Sequence, residues 1–271
     1  EPPDVVTYST AMKAFCKLAE KGHDGAAHTN VRLLREMQER QTLPDLYTYS
    51  IVLQTLVNAL SQDTGDGDVD TCMEILNEMK ESENASVTPN TIHYTKVLNA
   101  FVQKANISSD ADTSAMMIDS CLLLLDEMKR FPMTQPDVVA YSSVLSAVAK
   151  QIMRAELSPD RGLSLVKQCF TLLDDMEGQP DAAPNTLTYM TIAQPMLRRI
   201  ESDDEMIFDN YLLLMAKGSA SNREHGFRDH KMQPANNPFL VPLLEVMLKM
   251  ANQGLSSVVD NCIAIIDNCD K

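Results

Sequence analysis

Tryptophan is absent from this 271-residue chain, and glycine occurs only 9 times. Glycine supplies the positive-φ corners of tight turns, so its scarcity suits helices better than a sheet fold built on hairpins. Bases are also short. Against 38 Asp and Glu stand 23 Lys and Arg, a formal net charge of −15. Averaged over the chain, that charge argues against contact with nucleic-acid phosphates. No apolar run approaches the roughly 20 residues that span a bilayer, so no membrane partner is expected. With 44% hydrophobic residues, the chain is nevertheless no disordered tail.

Catalytic signatures are missing too. There is no Gly-rich nucleotide loop, no Ser/His/Asp elbow and no HxE…PCxxC deaminase pattern. His225 and His230 lie in HGFRDH without the cysteine partners of a zinc site. Asp203-Asp204-Glu205 reads as the capped start of a helix, not a nuclease metal site. The segment is expected to be non-enzymatic, with no cofactor and no metal.

What is present is a repeat. The segments VVTYST, LYTYSI, TIHYTK, VVAYSS and TLTYMT each carry Tyr at the fourth place: Tyr8, Tyr49, Tyr94, Tyr141 and Tyr189. Each follows Pro and an acid or amide: Pro3-Asp4, Pro44-Asp45, Pro89-Asn90, Pro136-Asp137 and Pro184-Asn185. A second signature closes on Met37, Met79, Met128 and Met176, and more loosely on Met215. Tyr-to-Tyr intervals are 41, 45, 47 and 48 residues, while Met to the next Tyr is 12, 15, 13 and 13. The join is nearly constant, so the variable length falls between the two signatures.

Both halves read as helices. Tyr94, Val97, Leu98 and Phe101 follow the i, i+3, i+4, i+7 stripe, as do Cys121, Leu124, Leu125 and Met128. Gly65 and Gly67, then 106–112, break the chain between halves. Asp68, Asp110 and Asp160 suit the N-cap or first turn of the second helices. Pro195 inside the fifth first helix is expected to kink or shorten it. A two-helix unit cannot bury its stripe alone, so stacked copies should form an all-α αα-solenoid. The repeats are placed at about 5–45, 46–90, 91–137, 138–185 and 186–217. Residues 218–238 read as a loop, and 239–271 as a capping helical pair.

Cys72, Cys121 and Cys169 each lie seven residues before a signature Met. That shared place predicts reduced, buried packing thiols. Neighbouring repeats would hold their Cα atoms about 10 Å apart, beyond the roughly 7 Å reach of a disulfide.

The charge is not evenly spread. The five first helices hold nine bases and one acid, a net +8. The five second helices hold nine bases and 22 acids, a net −13. Bases favour helix C-termini through the macrodipole, which explains part of the first figure but not the near absence of acids.

Val5-Val-Thr-Tyr-Ser-Thr, Leu33-Leu-Arg-Glu-Met and Pro44-Asp45, repeated in linked order to about Lys217, resemble the pentatricopeptide-repeat family. Family repeats are near 35 residues, so longer helices or bulged turns are implied here. The resemblance implies a right-handed superhelix of antiparallel helix pairs that binds single-stranded RNA, one base per repeat. It also implies that first helices line the concave face, on which the +8 then falls. Val6, Tyr47, Ile92, Val139 and Leu187 would pack against bases. The fifth and last residues of each repeat would read base edges: Ser9 with Asp45, Ser50 with Asn90, Thr95 with Asp137, and Ser142 with Asn185. The implied preference is 5′-GAGA-3′, with Met190 leaving the fifth repeat silent. Lys17, Lys150 and Arg198 would contact phosphate, with Asn58 and Gln103 at the equivalent places.

Asp4 would close a repeat before Glu1, so a longer array is expected. The resemblance implies a mitochondrial or plastid role in RNA processing, stability or translation. Two alternatives stay open. Asp and Asn at repeat ends also cap helices in a plain scaffold. The same surfaces, the acidic second-helix face above all, would also suit a protein partner or a ribonucleoprotein assembly.

Overall fold

The computed structural model describes residues 2–63, 65, 67–154, 158–201, 210–211, 213–214 and 217. The expected loop at 218–238, the capping pair at 239–271, Met215, Asp203 to Glu205 and both histidines of HGFRDH lie outside them. The chain divides into two compact units, Glu1–Ala147 and Val148–Lys271.

In the first unit, α1 (Val5–Glu20), α3 (Leu46–Gln62) and α5 (Thr91–Ile107) are the first helices. Their partners are α2 (Ala26–Glu39), α4 (Val69–Glu81) and α6 (Ala111–Met128); α7 (Val138–Ile152), which begins the fourth repeat, contains the boundary between the units. α1 packs on α3 and α3 on α5, so the first helices form one layer. Each also packs on its own partner, and α2 and α4 fill the seams against the next first helix. This is the expected α-solenoid of stacked helix pairs. No strand occurs among the described residues.

The stripes read from the sequence are the core. Met12, Val52, Leu53, Val97, Leu98, Leu34, Ile75, Leu76 and Leu125 are buried. Each first helix starts the same way. Proline before the cap is buried at Pro44, Pro89, Pro136 and Pro184. Its ring blocks a helix upstream, and the next side chain caps the helix downstream. Asp68 and Asp110 cap α4 and α6 as expected. Before α8 the cap is Ser158, with Asp160 in the first turn.

The extra length of the repeats goes partly into helix. The second helices α6 and α8 run 18 and 19 residues, against 14 and 13 for α2 and α4. The joins after α4, α6 and α8 each carry a short 3-10 turn, at Ala85–Val87, Pro132–Thr134 and Pro180–Ala182. Gly67 sits against the end of α3, where a Cβ would come 2.6 Å from the Leu60 amide nitrogen. A side chain there would force the turn away from the helix.

In the second unit, α8 (Pro159–Glu177) is followed by α9 (Thr186–Glu201). Pro195 does not shorten α9, which continues through it for 16 residues. Proline lacks the N–H that would bond the carbonyl of Thr191, but the ring is buried, and packing holds the helix across the missing bond.

The fourth-place tyrosines do more than fill the core. Tyr8 donates to Glu36 at 3.0 Å, Tyr49 to Glu78 at 2.8 Å and Tyr94 to Glu127 at 2.7 Å. Each bond ties a first helix to the signature glutamate of its own partner. That glutamate also meets a base from the preceding second helix: Arg35 reaches Glu78 and Lys80 reaches Glu127. The fifth repeat departs, because Tyr189 donates back to Glu177 of α8 at 3.0 Å.

Burial, with the Glu78 acceptor second, raises the Tyr49 phenol from about 10 to about 12. The unfolded chain releases that proton near pH 10. Stability from this group is therefore complete below pH 10 and is lost as pH climbs towards 12. Urea unfolding at pH 9 and pH 11.5 should show a fall that Tyr49→Phe reduces by about 2 kcal/mol; an equal fall in both proteins would contradict this assignment.

Candidate nucleic-acid interface

The second residue of every repeat stands out from solvent-facing polar neighbours. Val6, Tyr47, Ile92, Val139 and Leu187 are 52–74% exposed. In the first unit, four of these apolar side chains, at the same place in successive first helices, are left without core partners, and exposed apolar groups so repeated mark a contact surface; Leu187 holds the same place in the second unit.

The fifth residues lie deeper. Ser9 and Thr95 are each only 9% exposed, while Ser50, Ser142 and Met190 are half-buried. Ser9 donates to the Val6 carbonyl at 3.1 Å. The Thr95 hydroxyl is buried with no hydrogen-bond partner. That oxygen has lost water without gaining a replacement, which is costly unless something else bonds it.

The last residues are helix caps, and the geometry of capping decides what else they can do. Asp45 accepts through Oδ1 from Thr48 N at 2.8 Å and from the Thr48 hydroxyl at 2.7 Å. Asp137 Oδ1 accepts from Ala140 N at 2.8 Å. Asn90 Oδ1 accepts from Ile92 N at 3.1 Å, and Asn185 Oδ1 from Thr188 N at 3.0 Å. One oxygen is used each time. The aspartates keep Oδ2, an acceptor. The asparagines keep the Nδ2 amide, a donor, because the cap has claimed their carbonyl oxygen. Capping and base reading are therefore compatible, and the cap fixes the orientation of each amide.

Lys17 and Lys150 are exposed, and Arg198 is exposed at the matching place on α9. The equivalents on α3 and α5 differ. Asn58 is tied down, donating to the Cys16 carbonyl at 3.4 Å and accepting from Gln54 at 2.9 Å. Gln103 is half-buried.

Cys72, Cys121 and Cys169 are buried free thiols, raised by desolvation to about 12. Such thiols do not ionise at neutral pH, which fits the packing role. Cys121 Sγ lies 3.8 Å from the Leu98 carbonyl. Asn30 takes the same place in the first repeat and donates to the Met12 carbonyl at 2.9 Å and to Thr55 at 2.7 Å. No group of three or more potential metal ligands occurs among the described residues. No described helix is long and apolar enough to cross a membrane.

These stacked pairs, with one exposed apolar residue and one cap per pair, define a tandem helical-repeat protein. The sequence model of the PPR repeat family matches residues 3–58, and that of the pentatricopeptide repeat domain matches residues 32–104. Residues 3–104 therefore carry pentatricopeptide repeats, and the chain is similar to proteins of that family. A chloroplastic pentatricopeptide repeat-containing protein of Arabidopsis thaliana is 27% identical over 143 residues. That match covers 53% of this chain and 15% of the relative, so this chain spans a small part of that protein's length. The crystal structure of the pentatricopeptide repeat protein PPR10 from maize is similar at 16% identity and a TM-score of 0.30. It covers 99% of this chain and 45% of that one.

Sequence reasoning missed the tyrosine–glutamate bonds, although both residues were in the signatures. It also missed that Asn58 is consumed by neighbours. The tyrosine–glutamate bonds and the Asn58 contact with Cys16 were not visible without knowing which helices touch.

Proposed function

We propose that this chain binds single-stranded RNA sequence-selectively, one base per repeat, in an organelle, where it acts in RNA processing, stability or translation. The observation that carries this is the pairing, in each repeat, of an exposed apolar second residue with a cap whose second polar atom is unspent. The apolar residue supplies a packing surface for a base. The cap supplies one acceptor or one donor beside it. Asp45 and Asp137 offer acceptors, which suit the N–H groups of guanine. Asn90 and Asn185 offer donors, which suit adenine N1. The deep hydroxyls of Ser9, Ser50, Thr95 and Ser142 complete the edge contact. The chloroplast label of the Arabidopsis relative favours a plastid over a mitochondrion.

A titration of GAGA-containing single-stranded RNA against a pyrimidine control, followed by fluorescence anisotropy, tests this. The purine RNA should bind at least tenfold more tightly. Tyr47→Ala should weaken both RNAs, because it removes stacking worth about 1–3 kcal/mol per base. Equal, micromolar-or-weaker binding of the two RNAs by wild type would sink the proposal.

A second partner is favoured by one further surface. On α6, Asp112, Met116, Asp119, Leu123 and Asp126 share one exposed stripe, with Met116 63% and Leu123 71% exposed. Two apolar anchors seven residues apart, set between carboxylates, fit a basic amphipathic helix of a protein partner. A lysine- and leucine-rich helical peptide of that pattern should bind the chain, and Leu123→Asp should weaken it at least tenfold without touching RNA affinity. Unchanged peptide binding in that variant would remove this second partner.

A further inference from the structure

Helix α3, LYTYSIVLQTLVNALSQ, carries no charged residue. Its neighbour α1 presents Lys17 at the thirteenth place of the repeat, but α3 presents Asn58 there. Both ends of the Asn58 amide are engaged. Nδ2 faces the Cys16 carbonyl at 3.4 Å and Oδ1 accepts from Gln54 Nε2 at 2.9 Å. The second repeat therefore has neither a cation nor a spare amide at the place where its neighbour offers one.

The same hydrogen-bond chain brings a cation in from elsewhere. Gln54 Oε1 accepts from Lys96 Nζ at 2.8 Å. The polar ladder thus runs from Lys96 on α5, over Gln54 and Asn58 on α3, to Cys16 on α1. It draws the ammonium off its own helix and onto the uncharged one. Lys96 follows Ile92 by four residues, so it shares the stripe that holds the exposed second residue. The side chain is half-buried. An ammonium has three N–H donors, and Gln54 takes one.

Among the described residues, no carboxylate pairs with this charge. Helices α3 and α5 contain none, and the one acid of α1 is Glu20 in its last turn. Burial lowers the Lys96 pKa, and no carboxylate appears among the influences on it. The adjacent Thr95 hydroxyl is also buried and unpartnered. A partly desolvated cation with two open donors is costly to hold until an anion meets it. Charge-assisted bonds to phosphate oxygens are the strong way to meet it.

We propose that Lys96 is a phosphate-binding residue of the RNA face, held over α3 by Gln54 so that it serves the nucleotide backbone passing the second repeat, where Asn58 cannot. The inference rests on the RNA-binding function proposed above. It differs from the thirteenth-place contacts, because the cation comes from the following repeat.

The test uses the full 271-residue chain and the GAGA-containing RNA, with affinity measured from 50 to 300 mM NaCl. A single-strand phosphate contact contributes about 0.7 to the slope of log affinity against log salt. Lys96→Gln should make that slope shallower by about 0.7 and weaken binding severalfold at low salt, with purine preference kept. Lys96→Arg should keep the wild-type slope. Should Lys96→Gln lower the melting midpoint, Lys96→Met, which keeps the aliphatic stem, takes its place. A wild-type slope in the charge-removing variant, alongside a shallower slope in Lys17→Gln, overturns the inference and leaves RNA binding standing. Failure of the wild-type chain to bind RNA at any salt overturns the parent proposal instead.

Discussion

Each repeat depends on one hydrogen bond at its start. A side-chain oxygen of Asp4, Asp45, Asn90, Asp137 or Asn185 accepts from a backbone N–H in the first turn that follows. That bond supplies a partner for an N–H the helix itself cannot satisfy, and is worth about 1 kcal/mol. It also stops the chain from running straight out of the previous join. Because the cap spends one oxygen, it determines which polar atom each repeat can still present. In the proposed mode of binding, the side chain that caps the helix is also the one that selects the base.

The two faces of the solenoid carry different electrostatics for different reasons. The signature glutamates of the second helices are held in place by tyrosines from within and by bases from the neighbouring second helix. Part of the net −13 is therefore structural, as at Glu78 and Glu127. The carboxylates of the α6 stripe are different. Asp112 and Asp119 stand in solvent among exposed apolar side chains. On the first-helix face the charge is sparse, and its placement matters more than its sum. Lys17 extends freely, whereas Lys96 is steered by an amide ladder.

Much of this was legible in the sequence. The tyrosine and methionine signatures located every described helix pair, because a period near 45 residues with i, i+4 stripes has one economical packing. Asp68 and Asp110 were readable as caps, since nothing but position is needed for that role. The shortening expected at Pro195 does not occur. Its local penalty is real, but burial in α9 outweighs it, and burial is a tertiary property. The preserved place shared by Cys72, Cys121 and Cys169 predicted packing, and did not reveal that Asn30 fills it in the first repeat by bonding a backbone carbonyl. Asn58 was assigned a phosphate contact by analogy of position. One partner, Gln54, lies four residues back on the same helix, but the other, Cys16, belongs to α1, and no spacing rule within one repeat could have identified it.

The proposed selectivity requires that the cap residue present a defined atom to a base. Asn90→Asp changes that atom from donor to acceptor while keeping an oxygen for Ile92 N. The variant should retain the wild-type melting midpoint. Its RNA preference should move from adenine to guanine at one nucleotide, with the other positions unchanged. An unaltered preference across all four bases at that nucleotide, in a protein that still binds RNA, would contradict the central claim.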